Sequence, residues 1–189
     1  MDDNSDKTKC LDILAYNRII IVGNNGSGKS FLAKELFFIT RLPLIHLDVE
    51  FWHPNWETPS KEEWLDKNKE FVSREKWIID GVCDYGGTLE LRFKETDLII
   101  FLDINRLVCL AGVFKRNRKK RSDTIAYLYE KFDMRFIKFC IKIWSFSQKR
   151  KYSIIDLHKK YPDKVFFTIK SRREMKNLLS QWSKMKQVI

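Results

Sequence analysis

Cysteine is scarce and scattered in this chain of 189 residues: Cys10, Cys83, Cys109 and Cys140 are the only four, and none stands in a C-x-x-C pair. That spacing speaks against a zinc site or a disulfide framework and leaves reduced thiols, mostly in the core. Glycine and proline are few as well, seven and four, which leaves no room for a long linker. No apolar stretch approaches the roughly 18 to 20 residues needed to span a bilayer. The first residues are acidic and polar, where a secretory leader would carry a basic patch and an apolar run. The expected location is therefore the cytoplasm, with no membrane partner. No internal repeat is visible.

Hydrophobic content of 44% and aromatic content of 14% argue for a packed globule, and the length suits one domain over residues 1–189 with a core of its own. The net charge of +11 would draw polyanions, whether nucleotide, nucleic acid or anionic membrane, without choosing among them. It is uneven. Lysine and arginine crowd Lys115 to Arg121 (KRNRKKR) and Gln148 to Lys151 (QKRK), whereas the first dozen residues are mixed in sign.

One segment carries specific chemistry. Gly23-Asn24-Asn25-Gly26-Ser27-Gly28-Lys29-Ser30 fits G-x-x-x-x-G-K-[ST] at every fixed position. The glycines let successive backbone N–H groups turn inward around phosphates, Lys29 reaches the outer phosphates as a compact cation, and the Ser30 hydroxyl suits a Mg²⁺ ion. The flanks give the order this device requires: Arg18 to Val22 reads as a buried strand, and Lys29 to Thr40 (KSFLAKELFFIT) as a helix. ATP or another nucleoside triphosphate, with Mg²⁺, is the expected ligand of all eight residues.

Farther along, Leu42 to Leu47 reads as a second strand ending at Asp48, with Pro43 tolerated near its start. Ser60 and Glu63 form a capping box for a helix to about Ser73. Lys76 to Ile79 is a third strand, ending at Asp80-Gly81. Gly86-Gly87 marks a turn before a short helix carrying Arg92, and Leu98 to Leu102 is a fourth strand, ending at Asp103. A helix from about Asn105 runs into the basic cluster. A long amphipathic helix is expected over Ile125 to Phe146 and another over Ser153 to Lys160. A last strand, Lys164 to Ile169, and a helix from Ser171 to about Lys184 close the chain. Short apolar strands alternating with helices predict a three-layer α/β fold with a parallel sheet and ligands beyond the strands' carboxyl ends.

The order and spacing of GNNGSGKS, PLIHLD, WIIDG, YGGTLELRF, TDLIIFLDINR, KRNRKKRSD and EKFDMRFIKFCIKIWSF resemble the bacterial DNA-topology-modulation proteins, a branch of the adenylate-kinase-like phosphate-loop kinases. The resemblance runs through most of the chain and implies the sheet order 2-3-1-4-5, with a small helical lid at about 115–125. One loop departs from it. The family tends to have Asp-Gly-Asn-Tyr after strand three, where this chain has Asp80-Gly81-Val82-Cys83-Asp84-Tyr85.

Phosphoryl transfer asks a protein chiefly to hold donor and acceptor in line while cations neutralise charge. In the implied sheet order, Asp80 and Asp103 both flank strand one and either could serve the Mg²⁺ beside Ser30. The Asp-Gly resemblance favours Asp80, acting through a metal-bound water. Asp48 is the candidate for orienting an acceptor and for taking its proton, which fits a hydroxyl better than a phosphate because two anions repel. Arg92 falls where the related kinases hold an acceptor phosphate, a task suited to a guanidinium fork. These two readings conflict and leave the acceptor open. His46 reads as a core or rim residue. Phe51, Trp52 and Trp56 are either a stacking wall or plain packing. Arg116, Arg118 and Arg121 fall on the implied lid, with Arg116 and Arg121 the candidates for stabilising the moving phosphoryl group. The resemblance puts the nucleotide base near Lys170 to Arg172. Phe132, Phe136, Phe139, Cys140, Ile143 and Trp144 recur at three and four and read as a core face.

The reading that best accommodates these residues is an ATP-dependent phosphotransferase acting on a small molecule. The alternative is a nucleotide-switched DNA-binding or topology-modulating regulator, motivated by the family name and the charge. No recognition-helix signature, zinc finger or RNP-like aromatic motif supports that alternative.

Overall fold

The computed structural model describes residues 11–53, 57–117 and 134–186. Five parallel strands form one sheet in the order β2-β3-β1-β4-β5: β1 (Arg18–Gly23), β2 (Leu44–His46), β3 (Trp77–Asp80), β4 (Leu98–Leu102) and β5 (Val165–Ile169). The helices are α1 (Lys29–Thr40), α2 (Leu47–Phe51), α3 (Lys61–Ser73), α4 (Thr88–Glu95), α5 (Arg106–Asn117), α6 (Met134–Lys160) and α7 (Arg172–Lys186). This is the expected three-layer architecture and strand order.

Alternation along β1 shows how the layers are held. Ile19 and Ile21 enter one apolar cluster, with Leu32, Leu36, Cys109, Phe136, Ile143 and Trp182 of the helices on that side. Ile20 and Val22 enter the other, with Trp64, Phe71, Leu89, Phe93 and Ile154. Side chains on a strand alternate faces, so a run of apolar residues with no polar gap fits a strand covered on both sides. Each such side chain contributes roughly 1.5–3 kcal/mol on burial. Ser60 and Glu63 form the expected capping box, with Glu63 N–H donating to Ser60 Oγ at 3.1 Å and Ser60 N–H donating to Glu63 Oε2 at 2.8 Å.

Two boundaries differ from expectation. The second strand stops at His46, and the chain turns into α2 at Leu47, so Asp48 lies in the first turn of a short helix and strand alternation does not put it on the side of His46. The two helices expected over Ile125 to Phe146 and Ser153 to Lys160 are one continuous element of 27 residues from Met134. The Gln148-Lys149-Arg150-Lys151 run contains good helix formers and no glycine or proline, so nothing there breaks the ladder. Of the face expected to be core, Phe136 and Ile143 are buried in the first cluster, and half-buried Phe139 and Cys140 pack against that cluster. Trp144 instead is 44% exposed, with the Arg106 guanidinium 3.8 Å above its ring. Phe132 and the start of the expected helix lie outside the described residues. Among the described residues, no helix is long and apolar enough to cross a membrane.

Candidate active site

The loop between β1 and α1 is built around backbone conformations that side chains resist. Gly26 has φ +80°, and a Cβ there would lie 2.2 Å from the Cys109 carbonyl oxygen and 2.9 Å from Val113. Gly28, at φ 108°, occupies the N-cap of α1 and supplies no side-chain cap. The first N–H groups of that helix therefore have no capping side chain, the arrangement that receives phosphate. Lys29 Nζ donates to the Asn24 carbonyl at 2.9 Å, and half-buried Ser30 stands in the first turn.

Two later elements hold the loop from outside. Asn24 Nδ2 donates to the Ile143 carbonyl of α6 at 2.8 Å. Arg172, at the start of α7, donates through Nη2 to the Gly26 carbonyl at 2.7 Å and to the Val108 carbonyl at 3.3 Å. Arg172, expected near a nucleotide base, thus clamps the loop. Its sequence signal is absent, because the partner is a backbone carbonyl 146 residues away.

Asp80 ends β3, next to β1, and is only 5% exposed. Its Oδ2 lies 2.9 Å from His46 Nδ1, while Oδ1 is buried with no hydrogen-bond partner. Ser27 Oγ and Asn24 Oδ1 are also buried without one. Buried polar atoms are normally satisfied, so three such atoms at the loop and beside it fit a site made for a ligand. A Mg²⁺ ion bound partly through phosphates and water needs only one or two protein oxygens, and Asp80 with Ser30 fits that donor set. Asp103, after β4, is engaged differently: its Oδ2 lies 2.6 Å from Lys151 Nζ of α6.

Arg92 departs from the acceptor-binding expectation. It is fully buried, with Nη1 donating to Asn68 Oδ1 at 2.8 Å and Nη2 to the carbonyls of Val82 at 2.6 Å and Cys83 at 3.3 Å. Burial draws its pKa down to about 10, with the neighbouring Cys83 and Asp84 acting the other way. Enclosed on these terms, the guanidinium fastens the β3–α4 loop to α3, while its Nε is buried with no hydrogen-bond partner. Phe51 is likewise core, edge-on to Trp64 at 4.9 Å and to Tyr85 at 5.5 Å. Asp48 is exposed. Arg116 falls in the last turn of α5; Arg118, Arg121 and Trp56 lie outside the described residues.

Helix α6 runs between two clefts. One, of about 200 Å³, is lined by Asn24, Asp103, Asn105, Arg106, Phe146 and Lys151. The other, of about 240 Å³, is lined by Val82, Asp84, Leu89, Arg150 and Ser153. Adjacent residues on a helix point about 100° apart, so Lys151 and Arg150 serve different clefts.

No protein-family model and no curated protein sequence matches the chain. Solved structures do. A shikimate kinase from Acinetobacter baumannii, in complex with shikimate, superposes with a TM-score of 0.57 at 12% identity, over 91% of this chain and 93% of that one. A shikimate kinase from Bacteroides thetaiotaomicron gives 0.51 at 15% identity, over 91% of this chain and 99% of that one. At these identities the likeness shows the fold alone, a three-layer α/β domain around a five-stranded parallel sheet.

Proposed function

We propose that the chain is a kinase that moves the terminal phosphoryl group of ATP, with Mg²⁺, to a hydroxyl of a small acceptor. The observation that carries this reading is the meeting of the uncapped N-terminus of α1 with the partnerless, buried Oδ1 of Asp80 at the same end of the sheet. The likeness in fold to kinases that phosphorylate small molecules supports it, as does the motif resemblance.

In this reading Gly23 to Ser30 enclose the phosphates and Lys29 leaves the Asn24 carbonyl to reach them. Ser30 and Asp80 hold the metal, which when bound neutralises phosphate charge. The acceptor hydroxyl attacks the terminal phosphorus, the bond to the bridging oxygen of ADP breaks, and the hydroxyl proton passes to Asp48. With Arg92 enclosed, Arg150 in the neighbouring cleft is the guanidinium available to an anionic group on the acceptor. Arg116 and Arg121 enter through the resemblance alone, as charge stabilisers. ADP release from the purified chain, followed across a panel of hydroxylated metabolites, tests the reading. One or more acceptors should stimulate it, and Lys29→Ala should lower the stimulated rate at least about a hundredfold with the fold intact. Absence of nucleotide binding by calorimetry, or full turnover by Lys29→Ala, would count decisively against it.

A further inference from the structure

The pairing of His46 with Asp80 plays no part in the steps above, yet it joins two elements with different tasks. The two residues are lateral partners in the register of β2 and β3, so the ring and the carboxylate start from backbones fixed by the sheet. His46 Nδ1 lies 2.9 Å from Oδ2, and a carboxylate only accepts hydrogen bonds, so toward an Asp80 carboxylate the ring is the donor. A strand-end aspartate without such a partner can rotate and offer either oxygen or both. Here Oδ2 is taken and Oδ1 remains, buried and without a partner.

We infer that His46 is a positioning residue for the metal-bearing nucleotide: it fixes Asp80 so that one oxygen, Oδ1, is presented toward the cation and its water. Groups that orient a metal-binding carboxylate from behind set its geometry and basicity. The same bond ties Asp80 to β2, whose chain reaches Asp48 two residues after His46, so the carboxylates assigned to metal and acceptor share one mechanical support. This inference rests on the assignment of Asp80 in the proposed kinase.

The test uses the full chain with a non-hydrolysable ATP analogue and Mn²⁺ as the probe, its binding read by electron paramagnetic resonance. Asp80→Asn should weaken Mn²⁺ in the ternary complex about tenfold, and His46→Leu by a comparable factor, with affinity for the metal-free analogue unchanged in both. His46→Asn, whose side-chain amide offers a donor at the branch position of Nδ1, should stay within about twofold of the parent. That rescue separates positioning from mere packing, and His46→Gln, which carries its donor one bond too far, replaces the leucine variant if that one does not fold. Parent-like Mn²⁺ affinity in His46→Leu or His46→Gln beside a weakened Asp80→Asn overturns the role of His46 and leaves the kinase standing. Unchanged affinity in Asp80→Asn overturns the assignment of Asp80 and this inference with it, while nucleotide binding without metal still judges the kinase reading separately.

Discussion

Burial pushes the Cys83 thiol up to about 12 from its ordinary 9.0, against the opposing pull of Arg92. At pH 8 the native thiolate fraction is then far below that of an ordinary thiol. Iodoacetamide should modify half-buried Cys83 slowly in the native chain and rapidly in urea, as followed by peptide mass spectrometry; fast native labelling would contradict the raised pKa. The sign for stability follows from the same shift. A group whose pKa is raised by folding contributes fully below 9 and loses that contribution as pH rises through 12. Arg92, beside it, contributes through its bonds. Truncation in Arg92→Met leaves the buried Asn68 Oδ1 and two part-buried carbonyls without their donor. Each unsatisfied buried group costs roughly 1–3 kcal/mol, so a loss of about 3 kcal/mol is expected in urea unfolding. A change below about 1 kcal/mol would return Arg92 to the list of ligand-facing residues.

At the scale of elements, the loop between β1 and α1 is held by parts of the chain far from it in sequence. Substituting Gly26 by alanine would press a Cβ against the Cys109 carbonyl, which is backbone of α5 and cannot rotate away. Gly26→Ala should therefore abolish nucleotide binding in calorimetry and lower the melting temperature; retained binding would mean that the loop relaxes around the methyl group. The strand, glycine turn and helix around the loop are legible in the sequence because the glycines answer a local demand for positive φ and the flanks have clear periods. The strands were legible for the same reason, being short apolar runs bounded by Asp, Gly and Pro. What sequence could not reveal were contacts made to backbone, which leave no side-chain signature at the receiving end: Arg172 on the Gly26 carbonyl, Asn24 on that of Ile143, Arg92 on that of Val82. The turn of β2 into α2 after His46 leaves no sequence signal because Leu47 and Val49 fit either period. The pairing of His46 with Asp80 leaves none because cross-strand neighbours 34 residues apart become visible only with the register.

At the scale of the molecule, the order β2-β3-β1-β4-β5 places the phosphate loop at the sheet's centre, where chain connections diverge to either side and leave a crevice at the carboxyl ends. In the proposed kinase a nucleotide held there would sit on a loop braced by α6 and α7, so its binding energy would report on the packing of those elements as well. At a nucleotide concentration a hundred times Kd the gain is about 2.7 kcal/mol, and for a chain of this length that corresponds to a rise in Tm of roughly 5–10 °C. Mg²⁺ and ATP should produce that rise, and Lys29→Ala should remove it. The net charge of +11 raises the competing prospect of duplex DNA as the true polyanion, and salt separates the two. A protein that neutralises several DNA phosphates loses about 10³–10⁵ in affinity between 50 and 200 mM salt, because each contact releases a condensed counterion. A nucleotide held mainly by backbone N–H groups, one lysine and a metal displaces no such atmosphere. Titrations of both ligands across that range should show weak DNA binding that vanishes with salt and ATP binding that changes only a few-fold. Tight duplex binding with a steep slope, competed by ATP, would transfer the site's purpose from catalysis to a nucleotide-controlled grip on DNA.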